Sequence, residues 1–171
     1  MPDAGLASPD SSEEWDASVM KLIEHMSAAM IKAPLDATDK TGAITELVNL
    51  IAASDSRINR DKLLTAVLER ESQRSTGIGK GFAIPHAKTD AVGQLLIALG
   101  RCASPIEFQA VDGRPVDLIA LLASPVQATS LHIHALAKLT RLVNNPQTID
   151  RLKSAESAEA LYQVIVDSDA E

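Results

Sequence analysis

Aromatic residues are scarce in this chain, at 2% of 171 residues, while hydrophobic residues reach 46%. A chain this apolar is not disordered, and its core must be built from Leu, Ile, Val and Ala. The few rings also leave no stacking platform for single-stranded nucleic acid, so a nucleic-acid binder is not expected. Cysteine is nearly absent as well. Cys102 stands alone, which excludes an intrachain disulfide and suits a reducing cytosol. No apolar run nears the roughly 18 residues of a membrane span, and the N-terminus lacks a basic-then-apolar leader pattern. The expectation is a cytoplasmic protein with one domain and no transmembrane segment.

Charge is unevenly placed. The formal net charge is −7, yet residues 1–16 and 154–171 hold five acids each and no Lys or Arg. Residues 17–153 are therefore slightly basic, and Arg70, Arg74, Lys80 and Lys88 crowd around one glycine-rich stretch. Such a run is either a solvated surface or a local field that favours phosphate.

Residues 1–14 read as an acidic, disordered tail, and 168–171 as a C-terminal tail. Between them, Trp15, Val19, Leu22, Ile23, Met26 and Met30 fall on helical spacing, predicting a short helix over 19–26. Met30–Leu35 reads as a strand that Pro34 demotes to an edge. Thr38 and Asn59 are predicted to cap helices reaching about Ala53 and Ser72. Strands are expected at Phe82–Ile84, Leu95–Leu99 and Val116–Leu122, with a short one at Pro105–Phe108 and a turn at Asp112-Gly113. The near-continuous apolar run of 116–122 marks a central strand covered on both faces. Three helices follow: about Thr129–Val143, one opened by Asn145-Pro146, and one capped by Ser157. Mixed strands with helices to cover both faces predict an α+β fold, a three-layer α/β/α sandwich around a mixed parallel and antiparallel sheet.

Several chemistries are excluded by spacing. A P-loop needs G-x-x-x-x-G-K-[ST], but Gly81 follows Gly79-Lys80 and Arg74 occupies the first glycine position. The dinucleotide fingerprint fails because residue 82 is Phe, and because the stretch leads into a strand. Its glycines are better suited to a tight approach of a neighbouring segment or ligand. No G-x-S-x-G elbow is present, and Cys102 reads as a small apolar residue in a strand-exit loop. His132 and His134 lie about 200° apart around a helix, so only one can face a site and the pair is a poor metal chelate. No metal or other cofactor is implied.

What remains is His86. Pro85 has no N–H to extend a ladder and pushes Ile84 toward an extended conformation. His86 is thus expected on irregular backbone where a strand leaves its sheet, with bases nearby.

These residues carry a resemblance. Arg70-Glu71 followed by Ser75-Thr76-Gly77-Ile78-Gly79-Lys80-Gly81-Phe82-Ala83-Ile84-Pro85-His86 resembles the signature of the enzyme IIA domains of the phosphoenolpyruvate-dependent phosphotransferase system. The type is that of fructose, mannitol and nitrogen-regulatory systems (EIIA type-2), and similarity extends over about residues 19–166, so the domain is expected to span 15–167. The resemblance implies a phosphoryl carrier in which His86 is phosphorylated, Arg70 steadies the phosphoryl group, and His132 is the second active-site histidine. It implies an HPr-like phosphocarrier as donor and an enzyme IIB or a regulatory target downstream. With no IIB-type or membrane region evident, a stand-alone nitrogen-regulatory unit is favoured over sugar uptake. The alternative is a binding module that keeps the fold without phosphotransfer. Family members often have glycine where this chain has Arg74, and asparagine where it has Lys80.

Overall fold

The computed structural model describes residues 20–170. Six strands form one sheet: β1 (Ile31–Leu35), β2 (Gly77–Gly79), β3 (Phe82–Ala83), β4 (His86–Lys88), β5 (Leu96–Ile106) and β6 (Val116–Ser124). Five helices accompany it: α1 (Lys40–Ala53), α2 (Arg60–Gln73), α3 (Thr129–Asn144), α4 (Pro146–Ser154) and α5 (Ala158–Asp169). The strand order is β1-β5-β6-β3-β2, and β4 also pairs with β6. The β1–β5, β3–β6 and β4–β6 pairs are parallel, whereas β5–β6 and β2–β3 are antiparallel. The expected mixed sheet is present.

Successive residues of β6 alternate between two cores, as the two-residue period of a strand requires. Ile119, Leu121 and Ala123 pack with Ile44, Leu47, Val48 and Ile51 of α1 and Leu63 and Val67 of α2. Leu118, Ala120 and Leu122 pack with Leu139 and Leu142 of α3, Leu152 of α4 and Leu161 and Ile165 of α5. Helices therefore cover both faces, giving the three layers.

The helix starts follow local chemistry. Asn59 accepts from the Lys62 N–H, Asn145 from those of Gln147 and Thr148, and Ser157 from that of Ala160. Asp39, not Thr38, caps α1, accepting from the Gly42 N–H at 2.7 Å. The helix predicted over 19–26 is replaced by two 3₁₀ turns, Leu22–His25 and Ala28–Met30, with extended residues between them. Trp15, Val19 and the tail of 1–14 lie outside the described residues. At the other end α5 runs through Asp169, so residues 168 and 169 are helical.

Two strand readings also change. β5 is far longer than Leu95–Leu99 and takes in Cys102 and, of the strand expected at Pro105–Phe108, only Pro105 and Ile106; Glu107 and Phe108 lie beyond its end. Its register against β6 shifts between Arg101 and Ile106, and Pro105 falls in that irregular stretch, where a missing N–H costs no ladder bond. Cys102 is therefore a buried strand residue, and burial pushes its thiol up to about 12. His86 opens β4 instead of lying on irregular backbone.

The glycine stretch is a β2–β3 hairpin in which Gly79, the last residue of β2, and the two turn residues Lys80 and Gly81 all have positive φ. Lys80 sits at φ 60°, a left-handed conformation that glycine or asparagine adopts more easily. The hairpin lies against residues 110–112. A Cβ on Gly77 would come within 2.7 Å of the Ala110 Cβ, and the Lys80 N–H donates to Asp112 at 3.0 Å. These glycines shape the approach of one chain segment to another.

Candidate functional site

β6 is long enough for two short strands to line one of its edges in succession. Phe82 and Ala83 pair with Leu118 and Ile119, and His86, Ala87 and Lys88 pair with Leu122, Ala123 and Ser124. Ile84 and Pro85 bridge the two, the Pro85 carbonyl accepting from the Leu122 N–H at 3.0 Å. His86 is thereby placed at the start of β4, opposite Leu122 near the carboxyl end of β6 and beside the loop that enters α3. Crevices at the carboxyl ends of parallel strands are where open α/β sheets place ligands.

A cleft of about 380 Å³ opens there, lined by Glu69, Arg70 and Gln73 of α2, His86 and Lys88 of β4, and His132 of α3. The three residues singled out in the sequence are brought together. The His86 and His132 rings lie 5.4 Å apart between centroids, at 60° to each other. His134 belongs to none of this; its Nδ1 donates back to the Ser130 carbonyl of its own helix at 2.6 Å. A larger hollow of about 590 Å³, between α3, α4 and the end of α5, is lined by Lys138, Arg141 and Asn144 and by no histidine or cysteine. Among the described residues, no three His, Cys, Asp or Glu side chains converge as a metal cluster, and no helix is long and apolar enough to cross a membrane.

The protonation of His86 follows from one contact. Its Nδ1 lies 2.8 Å from the Ile84 carbonyl, which can only accept, so Nδ1 carries the hydrogen. In the neutral ring the lone pair then sits on Nε2. Burial holds the His86 pKa below the ordinary value against the opposing Ile84 contact, and Arg70 lowers it further. The ring is neutral and nucleophilic at pH 7.

His132 is only 6% exposed, and its Nδ1 lies 2.5 Å from Ser124 Oγ. Burial, then His86 and Lys88, lower its pKa to about 4. Between about pH 6.5 and 4 the unfolded chain binds a proton that folded His132 refuses, so stability falls as pH drops through that window. We expect denaturant unfolding at pH 5 to show up to about 2 kcal/mol less stability than at pH 7, a loss that shrinks in His132→Gln.

Arg70 projects from the last turn of α2, where Nη1 donates to the Arg74 carbonyl at 3.0 Å. Among the described residues no carboxylate pairs with it, so its remaining N–H groups are available to an anion in the cleft.

Glu71 stands next to Arg70 in the signature. It is 6% exposed and accepts from the Thr76 N–H at 2.9 Å, from Thr76 Oγ1 at 2.6 Å and from Lys40 Nζ at 2.8 Å. The Thr76 carbonyl in turn accepts from the Ile84 N–H at 3.0 Å, next to the carbonyl that orients His86. Glu71 thus ties the end of α2 to the strand that presents the histidine. Its signal in the sequence is an acid at the third position of the i, i+4 series Leu63, Val67, Glu71, on the buried face of α2. Glu71→Ala is expected to cost about 3 kcal/mol, seen as a lower urea midpoint, because it strands the buried Thr76 donors and removes the ion-pair partner of Lys40.

Residues 24–168 match the family model described as "Phosphoenolpyruvate-dependent sugar phosphotransferase system, EIIA 2". The chain belongs to this EIIA type-2 family. Members among its relatives include the fructose-specific EIIABC component of Bacillus subtilis, 35% identical over 85% of this chain and 23% of that protein. The chain thus spans about a quarter of that relative's length. The nitrogen regulatory protein of Pseudomonas aeruginosa is 34% identical over 75% of this chain and 83% of its own length. In structure, the EIIA fold is shared with nitrogen regulatory protein IIA-Ntr of Neisseria meningitidis (TM-score 0.77, 30% identity, covering 83% of this chain and 97% of that one). It is shared too with mannitol IIA of Escherichia coli in its complex with phosphorylated IIB (TM-score 0.71, 19% identity, 82% and 96% covered). Membership makes this EIIA protein a phosphotransferase-system component in the general sense.

Proposed function

We propose that this EIIA protein carries a phosphoryl group on Nε2 of His86. The observation that carries the reading is the hydrogen bond from His86 Nδ1–H to the Ile84 carbonyl, which leaves Nε2 as the ring's free lone pair in a cleft shared with Arg70 and His132. The donor is a phosphohistidine on an HPr-like phosphocarrier. The Nε2 lone pair forms a new N–P bond in line with the donor's N–P bond, which breaks and returns its electron pair to the donor imidazole. No proton need move, because His86 keeps its Nδ1–H throughout. Transfer of this kind needs positioning and stabilisation of charge on the three equatorial oxygens more than covalent assistance. The free guanidinium N–H groups of Arg70 suit those oxygens, and His132 supplies a further donor. The group then passes to an enzyme IIB or serves as a regulatory signal; that mannitol IIA of the same fold was solved in complex with phosphorylated IIB supports the first of these.

The test is incubation with phosphoenolpyruvate, enzyme I and HPr. We expect one acid-labile phosphate per chain. A wild-type protein that takes up none would overturn the reading in favour of a binding module.

A further inference from the structure

Two neutral histidines face one cleft, yet only His86 is proposed to take the phosphoryl group. We propose that Ser124 is a positioning residue that assigns these roles: it holds His132 as the Nε2–H tautomer, able to donate to a phosphoryl group but unable to receive one. The proposal rests on the carrier reading for its consequence, though the tautomer itself does not.

Hydrogen-bond satisfaction fixes the tautomer of His132. Ser124 is the last residue of β6 and is fully buried. It stands two residues beyond Leu122 and so shares that residue's face, toward α3. His132, in the first turn of α3, faces back toward it, and Oγ and Nδ1 meet at 2.5 Å. The Ser124 hydroxyl has no other partner among the described residues. If it accepted from an Nδ1–H, its own O–H would be buried without an acceptor, at a cost of about 1–3 kcal/mol. If it donates, the hydroxyl proton and the Nδ1 lone pair are both satisfied. His132 must then carry its proton on Nε2, the nitrogen left for the cleft.

The result is a pair of histidines with opposite assignments. His86 gives its Nδ1–H to the Ile84 carbonyl and keeps a lone pair at Nε2. His132 gives its Nδ1 lone pair to Ser124 and keeps a proton at Nε2. A phosphoryl group on His86 therefore meets a donor across the 5.4 Å between the rings, and no second nucleophile. A backbone carbonyl and a serine hydroxyl separate the two roles.

The full chain, labelled with ¹⁵N-histidine and unphosphorylated, tests the tautomer directly by long-range proton–nitrogen NMR at pH 7, with His132→Gln assigning the signals. We expect His132 to show a protonated Nε2 and a bare Nδ1; a proton on Nδ1 would overturn the proposal whatever the protein does with phosphate. In phosphotransfer from HPr, Ser124→Ala should be about tenfold slower, with the apparent affinity for HPr unchanged, and Ser124→Thr should recover most of the rate. An alanine variant as fast as wild type would defeat the positioning role. If Ser124→Ala does not fold, the wild-type spectrum and the threonine variant decide. A wild type that takes no phosphate defeats the carrier reading and the transfer role with it, and the spectrum still reports the tautomer separately.

Discussion

Alanine at position 86 is expected to abolish phosphate uptake from phosphoenolpyruvate, enzyme I and HPr, leaving no acid-labile phosphate on the protein. The expectation is a complete loss because no other group in the cleft offers a comparable nucleophile. Lys88 is engaged with Thr129, its Nζ donating to Oγ1 at 3.4 Å. The Nδ1 of His132 is occupied by Ser124. Cys102 lies buried in β5 with its thiol held protonated by burial. His86 is half-buried at the first position of β4, so its removal should leave the fold intact, with circular dichroism matching wild type. Phosphate retained in His86→Ala would mean that another residue is the acceptor.

Arg70→Ala is expected to slow transfer steeply, with the removal of an arginine finger, about 10³–10⁵ in rate, as the upper guide. Its guanidinium is the cleft's planar cationic fork, anchored by one N–H to the Arg74 carbonyl with the rest unpaired by any carboxylate among the described residues. Arg70→Lys should recover little, since an ammonium cannot span two phosphoryl oxygens bidentately. The check is single-turnover phosphorylation by phospho-HPr. A rate within a few-fold of wild type would show that the guanidinium does not meet the transferring group. Removing Arg70 also removes one of the influences that lower the His86 pKa, so the pH profile of the variant should shift slightly upward.

How far the sequence could be read depended on whether a residue's partner is near it in the chain. The caps at Asn59, Asn145 and Ser157 bond to N–H groups two or three residues on, and each was legible. Thr38 and Asp39 can both accept a helix N–H, and the aspartate, the stronger N-cap, takes the role one residue later. The predicted helix over 19–26 failed for a non-local reason. Leu22, Met26 and Met30 are buried as their spacing requires, but the Ile23 N–H donates to Asp169 and the Met20 carbonyl accepts from Lys138. Those partners lie more than a hundred residues away and compete with the helical ladder. His86 was misplaced on irregular backbone for a similar reason. Pro85 does interrupt the edge, but β6 extends far enough for pairing to resume at Leu122.

The site divides the same way. His86, Arg70 and the choice of His132 over His134 came from the signature and helix geometry, and the cleft gathers all three. Glu71 was visible but given no role, and Ser124 was hidden at the end of an apolar run. Its partner is eight residues on, across the loop that leads from β6 into α3, where no spacing rule connects a strand residue to a helix residue. Both act by holding another residue in place, and such roles depend on tertiary contacts.

The most direct test of the central claim is to locate the phosphorus. Phosphorylated protein labelled with ¹⁵N-histidine should show phosphorus–nitrogen coupling at Nε2 of His86, with its Nδ1 still protonated. Coupling at Nδ1 of His86 or at His132, or no phosphorylated histidine, would contradict the account.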